Sequence, residues 1–356
     1  MKKAIDRDFY KGKRFFVTGH TGFKGSWMCK ALQMLGAQVC GYALEPPTEP
    51  SLFRMLEPGA NMESIIGDIR DSTSLKQAML RFSPDLVIHM AAQPIVREGY
   101  RNPAYTYETN VMGTVHLLEA VRECPSVRSF LNVTTDKVYL NREWEWGYRE
   151  EDTLDGYDPY SNSKSCSELV TAAYRRSFFS GEGCPAISTA RAGNVIGGGD
   201  FTTDRILPDC FRAASQKSPV SVRNPHSCRP YQHVLEPVFA YLLIAQEQYR
   251  DKKRFEGCYN VGPNLEDCME TGDLVDLFCA LWGDGLHWKS QQDSNEPHEA
   301  NFLQLDHSRI SSVFGWQPRW DISQAMRKTV EWYRVYLNGD PVEPLMKQQI
   351  REYMEI

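Results

Sequence analysis

The 356-residue chain reads as an α/β protein, a doubly wound parallel sheet of Rossmann type with a smaller, mostly helical C-terminal lobe. Three observations carry that reading. Short, near-continuous apolar runs alternate with helical patterns through the first 200 residues, as strands do when crossover helices bury both of their faces. The first of these runs leads straight into a glycine-rich turn, Thr18-Gly19-His20-Thr21-Gly22-Phe23-Lys24-Gly25. Beyond Gly199 the alternation stops, and Pro- and Gly-rich loops separate isolated helices.

Taken in order, Arg14 to Thr18 is the first strand, and Trp27, Met28, Ala31, Leu32 and Leu35 then recur at helical spacing until Gly36 stops the helix. Val39 to Ala43 is the second strand, and a Pro-rich loop from Glu45 to Pro50 follows. Glu63 to Ile66 ends at Gly67-Asp68, residues 72–82 are helical, and Leu86 to Met90 is a buried strand. A long helix near 105–123 precedes the strand Ser129 to Thr134, and another from Tyr160 to about Phe179 precedes the strand Ala186 to Ala190. Further on, Asp273–Leu281 and Ile322–Tyr336 read as helices. The expected division is a dinucleotide-binding domain of residues 1–199 with a returning segment at 229–262, and a second lobe of residues 200–228 and 263–356.

Composition excludes several classes. Forty basic against 46 acidic side chains give a net charge of −6, which argues against a duplex nucleic-acid binder. No apolar run approaches the roughly 18 residues of a membrane span, and the start, Met1 to Asp8, does not read as a signal peptide. Ten scattered cysteines without a C-x-x-C pair read as reduced core residues, and the eight histidines show no metal-ligand spacing. The expectation is a soluble cytoplasmic enzyme without a metal, a nucleic-acid partner or a membrane partner.

Glycines 19, 22 and 25 sit three apart between a strand and a helix. Such a turn brings backbone N–H groups and a helix N-terminus against a pyrophosphate, where a Cβ would obstruct the turn or the approach. His20 and Lys24 in the same turn are candidates to touch phosphate. Glu45, 20 residues after Gly25, is either a ribose ligand or a loop carboxylate. Residues 15–53 contain no arginine to accept a 2′-phosphate, which favours NAD over NADP.

With Gly67-Asp68-Ile69-Arg70-Asp71, His89-Met90-Ala91-Ala92-Gln93 and Tyr160-Ser161-Asn162-Ser163-Lys164, the turn resembles the extended short-chain dehydrogenase/reductase superfamily. The resemblance implies that Gly19, His20, Gly22, Phe23 and Gly25 hold NAD, and that Asp68 and Ile69 border its adenine. It implies that Ala91, Ala92 and Gln93 line the ribose and nicotinamide, and that Tyr160 and Lys164 are the catalytic pair. Four residues apart, the pair shares one helix face. A phenol is a poor base at neutral pH, and an ammonium beside it favours the phenolate. Thr135 stands where the superfamily has a third, hydroxyl-bearing member.

Thr134-Thr135-Asp136-Lys137-Val138-Tyr139 puts an acid and a second ionisable group beside the hydride site, which implies proton chemistry in addition to oxidation. This resembles the nucleotide-sugar 4,6-dehydratases, in which the acid and its neighbour eliminate water. Relatives acting on deoxythymidine- and guanosine-diphosphate sugars carry Glu at the second position; Lys137 is similar to the branch acting on CDP-D-glucose. The resemblance continues through Ala92 to Arg97, Arg191 to Asp200 and Arg229 to Val234. Arg229 matches the family arginine on the pyrophosphate, Arg97 and Arg205 are further candidates, and the Asn194 amide suits the sugar or phosphate. The superfamily also implies a homodimer in which the helices near 105–123 and 160–179 pair with their copies. The alternatives are a nucleotide-sugar 4-epimerase, which needs Tyr160 and Lys164 only, a 4,6-dehydratase for another nucleotide sugar, and a dinucleotide-binding regulator, which needs neither Tyr160 nor Lys164.

Overall fold

The computed structural model describes residues 3–56, 62–291 and 302–355. Its main sheet contains β1 (Arg14–Thr18), β2 (Gln38–Ala43), β3 (Met62–Ile66), β4 (Leu86–His89), β5 (Ser129–Thr135) and β6 (Ala186–Ala192). With the strand Cys258–Val261 at one edge, the order is Cys258–Val261, β6, β5, β4, β1, β2, β3, and every pair is parallel.

Alternate residues of each strand enter opposite cores. Phe15, Val17, Leu86, Ile88 and Leu131 pack into one buried cluster, while Phe16, Val87, Phe130 and Ile187 pack into the other. The helix Phe23–Met34 and the helix Leu235–Arg250 cover the first face through Trp27, Leu32, Leu235 and Val238. The helices Ser72–Phe82 and Gly113–Arg122 cover the second through Leu75, Met79, Leu117 and Val121. A strand apolar on both sides therefore shows no alternation in sequence.

Strand order reverses between β1 and β4, so the loops leaving their C-terminal ends diverge and open a crevice. Thr18 at the end of β1 ties the two sides together, accepting the Met90 and Ala91 N–H groups at 3.1 Å each.

The helix expected near 105–123 runs from Pro103 to Arg122 but contains one π-helical turn, Glu108–Met112. The second long helix, Pro159–Phe178, opens with proline at its first turn and is capped by Asp158, which accepts the Ser161 N–H at 3.1 Å. Leu235–Arg250 is buried nearly all round, so it presents no amphipathic stripe to find in the sequence. In the remainder of the chain, Ile206–Ser215, Thr271–Trp282, Ile322–Leu337 and Glu343–Glu355 are helical. Among the described residues no cysteine is disulfide-bonded, and no helix is long and apolar enough to cross a membrane.

Candidate active site

The glycine turn lies in the crevice. Gly19 has φ +77°, and a Cβ there would come within 2.8 Å of the Met90 and Ala91 backbone. A Cβ on Gly25 would meet the Gly19 carbonyl at 2.1 Å, so both glycines are required by the fold alone. Gly22 differs, since a Cβ would find only the Gly19 oxygen, at 3.5 Å. It is the N-cap of Phe23–Met34 and supplies no side-chain cap, which leaves the orphan amides of that helix end for an anion. Gly19, Gly22, Phe23 and Gly25 thus form a cradle that fits a dinucleotide pyrophosphate.

The side chain of His20 does not serve this cradle. Its ring is buried under Gly41, with Nε2 2.7 Å from the Ser64 hydroxyl, and burial lowers its pKa to about 4. Only its backbone belongs to the turn, and the expected contact of its ring with phosphate is not available. Lys24 reaches to 3.5 Å from the Tyr241 hydroxyl, and burial together with the charges of Arg205 and Lys164 lowers its pKa to about 7. Glu45 is exposed beyond β2 and stands 3.6 Å from Arg54, as a loop carboxylate does.

Asp68 follows β3, and its carboxylate is held by Arg70 at 2.6 Å, which keeps its pKa below the usual range. Ile69 is buried against Gly113. Ala91 and Ala92 are half-buried where the β4 loop passes Gly19. The Gln93 side chain is consumed internally, donating to Thr106 at 2.8 Å and accepting from the Ile95 N–H at 2.6 Å. It shapes this loop, and its amide does not face a ligand. Asn110, in the π-helical turn, accepts the Gln93 N–H at 2.8 Å and donates to Ser163 at 2.8 Å. No motif marks Asn110 in the sequence, although π turns concentrate at functional sites.

The candidate catalytic groups gather at the end of β5. Thr135 is its last residue, and Asp136–Val138 form a single 3₁₀ turn. Asp136 is 1% exposed. Its Oδ1 accepts the Thr135 hydroxyl at 2.9 Å, and its buried Oδ2 has no partner among the described residues. Burial raises its pKa, against the opposing charges of Lys137 and Arg229. Lys137 is half-buried beside it. Tyr160 and Lys164 approach from the helix Pro159–Phe178. Burial lifts the Tyr160 phenol to about 12, while the Thr135 hydroxyl pulls it down. Burial lowers Lys164 to about 8, and its Nζ donates to the Val133 carbonyl at 3.2 Å.

Arg229 is 6% exposed and lies in a two-residue strand, Cys228–Arg229, paired antiparallel with Met269–Glu270. Gly193 lets this segment close in, because a Cβ there would lie 2.8 Å from Pro230 and 3.2 Å from Asp136 Oδ2. Asn194 is half-buried next to it, its carbonyl accepting the Gln232 N–H at 3.0 Å. Arg205 pairs with Asp200 at 3.1 Å and acts electrostatically on Tyr160 and Lys24. Arg97 stands 3.7 Å from Asp204, which also holds Arg223 at 3.1 Å. Nothing in the sequence distinguishes Arg223 from a surface charge.

The family model for GDP-mannose 4,6 dehydratase matches residues 16–329. The chain belongs to this family. It is 47% identical to the CDP-glucose 4,6-dehydratase of Salmonella typhimurium, over 98% of each chain. A probable dTDP-glucose 4,6-dehydratase of Sinorhizobium fredii is 27% identical over 90% of this chain and 92% of its own. Among solved structures, an epimerase from Methanothermobacter thermautotrophicus superposes with a TM-score of 0.82 at 20% identity, covering 96% of both chains. A dTDP-glucose 4,6-dehydratase from Bacillus anthracis in complex with NAD gives 0.76 at 21% identity, covering 94% of this chain and all of its own. At those identities the structural likeness speaks for the fold.

Within this 4,6-dehydratase family member, the site gathers three kinds of chemistry in one crevice. Tyr160 and Lys164 stand beside the Thr135 hydroxyl, Asp136 is a buried carboxyl with its pKa raised, and Arg229 and Arg205 bring positive charge close by. The Asp136 environment differs from that of a carboxylate serving only an ion pair, which would have its oxygens occupied and its pKa lowered.

Proposed function

We propose that this chain is an NAD-using hydro-lyase that converts CDP-D-glucose to CDP-4-dehydro-6-deoxy-D-glucose and water. The observation that carries the reading is Asp136, a buried carboxyl with one oxygen unpartnered among the described residues and its pKa raised, next to the Tyr160–Lys164 pair. Simple oxidation or epimerisation at carbon 4 needs the pair and has no use for a second acid. The choice of CDP-D-glucose is supported by the 47% identical Salmonella relative and by Lys137.

The residues present fit NAD, through the open cradle at Gly22 and the uncapped helix behind it. Gly19, His20 (through its backbone), Gly22, Phe23 and Gly25 hold the pyrophosphate, Asp68 and Ile69 border the adenine, and Ala91, Ala92 and Gln93 wall the nicotinamide side. When bound, NAD supplies a reversible hydride acceptor, so that the reaction has no net redox change.

The protein's own groups then handle protons. Tyr160, hydrogen-bonded by Thr135 and on the same helix face as Lys164, takes the proton of the sugar 4-hydroxyl. A ketone at carbon 4 acidifies the proton on carbon 5, and Lys137, half-buried beside Asp136, is the group that removes it. Asp136, its pKa raised by burial, donates a proton to the departing 6-hydroxyl, so that carbon 6 loses water. Lys137 returns that proton to carbon 5 at the end. Arg229 holds the pyrophosphate in its guanidinium fork, with Arg97, Arg205 and Asn194 around the sugar and phosphates.

Residues 1–199 with 229–262 make the cofactor domain, and 200–228 with 263–356 make the nucleotide-sugar lobe. The working form is a cytoplasmic homodimer. Its interface is supported by exposed apolar residues on the two long helices, Met112 (45% exposed), Leu169 (56%) and Phe178 (47%). Light scattering should give twice the chain mass, and Leu169→Arg should give the monomer.

The test of the reading is incubation with CDP-glucose, dTDP-glucose, UDP-glucose and GDP-mannose, with and without added NAD. The expected product is a 4-keto-6-deoxy sugar from CDP-glucose first. A 4-epimer with its 6-hydroxyl intact would replace the reading with a 4-epimerase.

A further inference from the structure

A buried ion pair lies directly behind the reactive groups, and nothing in the chemistry above uses it. Glu168 is one helical turn beyond Lys164 on Pro159–Phe178, hence on the same face. Its carboxylate and the Arg191 guanidinium are 1% and 2% exposed and 2.9 Å apart. The carboxylate is fully engaged, with Oε1 accepting the Thr134 hydroxyl at 2.5 Å and Oε2 accepting the Thr189 hydroxyl at 2.7 Å. Thr134 precedes Thr135 on β5, and Thr189 lies on β6. One carboxylate therefore fastens the helix of Tyr160 and Lys164 to both strands beneath it. Arg191 extends the network, donating to the Tyr139 hydroxyl at 2.8 Å and the Glu150 carbonyl at 3.0 Å.

We propose that Glu168 is a positioning residue for the Tyr160–Lys164 pair, fixing their helix against β5 and β6 and supplying the buried negative charge that keeps Lys164 an ammonium. The inference rests on the dehydratase reading and deepens it. Burial pulls Lys164 toward the neutral amine, and Glu168 opposes that pull. The other charged or titratable groups around Lys164 do not replace it. Lys24, from the helix behind the glycine turn, acts on Lys164 as a like charge. His89, at the end of β4, is neutral, its pKa lowered to about 3 by burial. Tyr160 is the group to be served, and burial raises the pKa of Asp136, which weakens it as a counter-charge. Arg191 stands behind Glu168 and anchors it.

A buried ion pair is weak evidence for stability, since apolar residues of similar volume often do as well. A role in holding the charge of Lys164 predicts something a packing role does not. Glu168→Gln keeps an acceptor for Thr134 or Thr189 and removes the charge. The high-pH limb of kcat, where Lys164 loses its proton, should move down by about one pH unit, with KM for the nucleotide sugar changed less than about two-fold. Because this single substitution leaves Arg191 buried without its carboxylate, Glu168→Gln combined with Arg191→Met is measured alongside; the double variant carries no orphan charge and should show the limb displaced in the same direction. A limb that coincides with wild type in a folded variant, with only melting temperature lowered, would overturn the proposal. Wild type serves as the control for the reading itself. If it turns over a different nucleotide sugar, the substrate assignment falls and the same comparison is made on that sugar. If it turns over none, both fall.

Discussion

Replacing Asp136 with Asn separates the oxidation at carbon 4 from the loss of water, and the structure sets the size of the effect. The Thr135 hydroxyl donates to Oδ1 at 2.9 Å, and an amide oxygen accepts it equally well. Oδ2 has no partner among the described residues, so an amide NH₂ in its place breaks no existing bond. Folded stability should stay within about 1 kcal/mol of wild type, the scale of one net hydrogen bond. What is lost is the proton for the 6-hydroxyl. General acid catalysis contributes about 10²–10⁴-fold, or about 3–5.5 kcal/mol of barrier. Rapid mixing of the variant with CDP-glucose and NAD should show absorbance of the reduced cofactor appearing and persisting, because oxidation precedes elimination. Steady-state formation of 4-keto-6-deoxy product should fall by the same factor. Unchanged product formation, or a variant in which no reduced cofactor appears, would refute the assignment of Asp136 as the acid for water loss.

Other perturbations test neighbouring parts of the account. Tyr160→Phe should abolish both reduced-cofactor absorbance and product, a loss of about 10²–10⁴-fold, while cofactor binding by calorimetry persists. Gly22→Ala should fold normally, since its Cβ meets nothing closer than 3.5 Å, yet weaken NAD; Gly25→Ala, with the Gly19 carbonyl at 2.1 Å, should lower the melting temperature outright. Glu236 is buried, accepts the Arg319 and Trp320 N–H groups and the Tyr353 hydroxyl, and has its pKa raised from 4.5 to about 7. A raised carboxyl stabilises the fold below its unfolded pKa, and that stability is lost as pH climbs through 7. Glu236→Gln should therefore raise the melting temperature at pH 8 and leave it nearly unchanged at pH 4, the difference amounting to at most about 3 kcal/mol.

Much of this architecture is legible in the sequence because local physics dictates it. Arg14 to Thr18 followed by three spaced glycines has one compact solution, and Gly19 and Gly25 confirm it by having no room for a Cβ. Asp158, Pro159 and the apolar spacing after them announce the helix that carries Tyr160 and Lys164. Groups whose meaning depends on distant partners are a different matter. His20 looks like a phosphate ligand until Gly41 and Ser64, which come from other strands, enclose its ring. Gln93 sits in the cofactor motif, but Thr106 and Ile95 take both ends of its amide. Two-residue strands such as Cys228–Arg229 are too short to show a period, yet they orient the most buried of the candidate substrate arginines. The Glu168–Arg191 pair is invisible for the same reason, since its members are 23 residues apart and meet only when the helix packs on β6.

The central claim is an internal redox dehydration, in which the hydrogen removed at carbon 4 returns at carbon 6 while Asp136, Lys137 and Tyr160 move the protons. CDP-glucose carrying deuterium at carbon 4, incubated with the enzyme and less than one equivalent of NAD, tests it directly. The account predicts complete turnover to the 4-keto-6-deoxy sugar with the deuterium on carbon 6. Deuterium still on carbon 4, or product limited to the amount of NAD supplied, would contradict it.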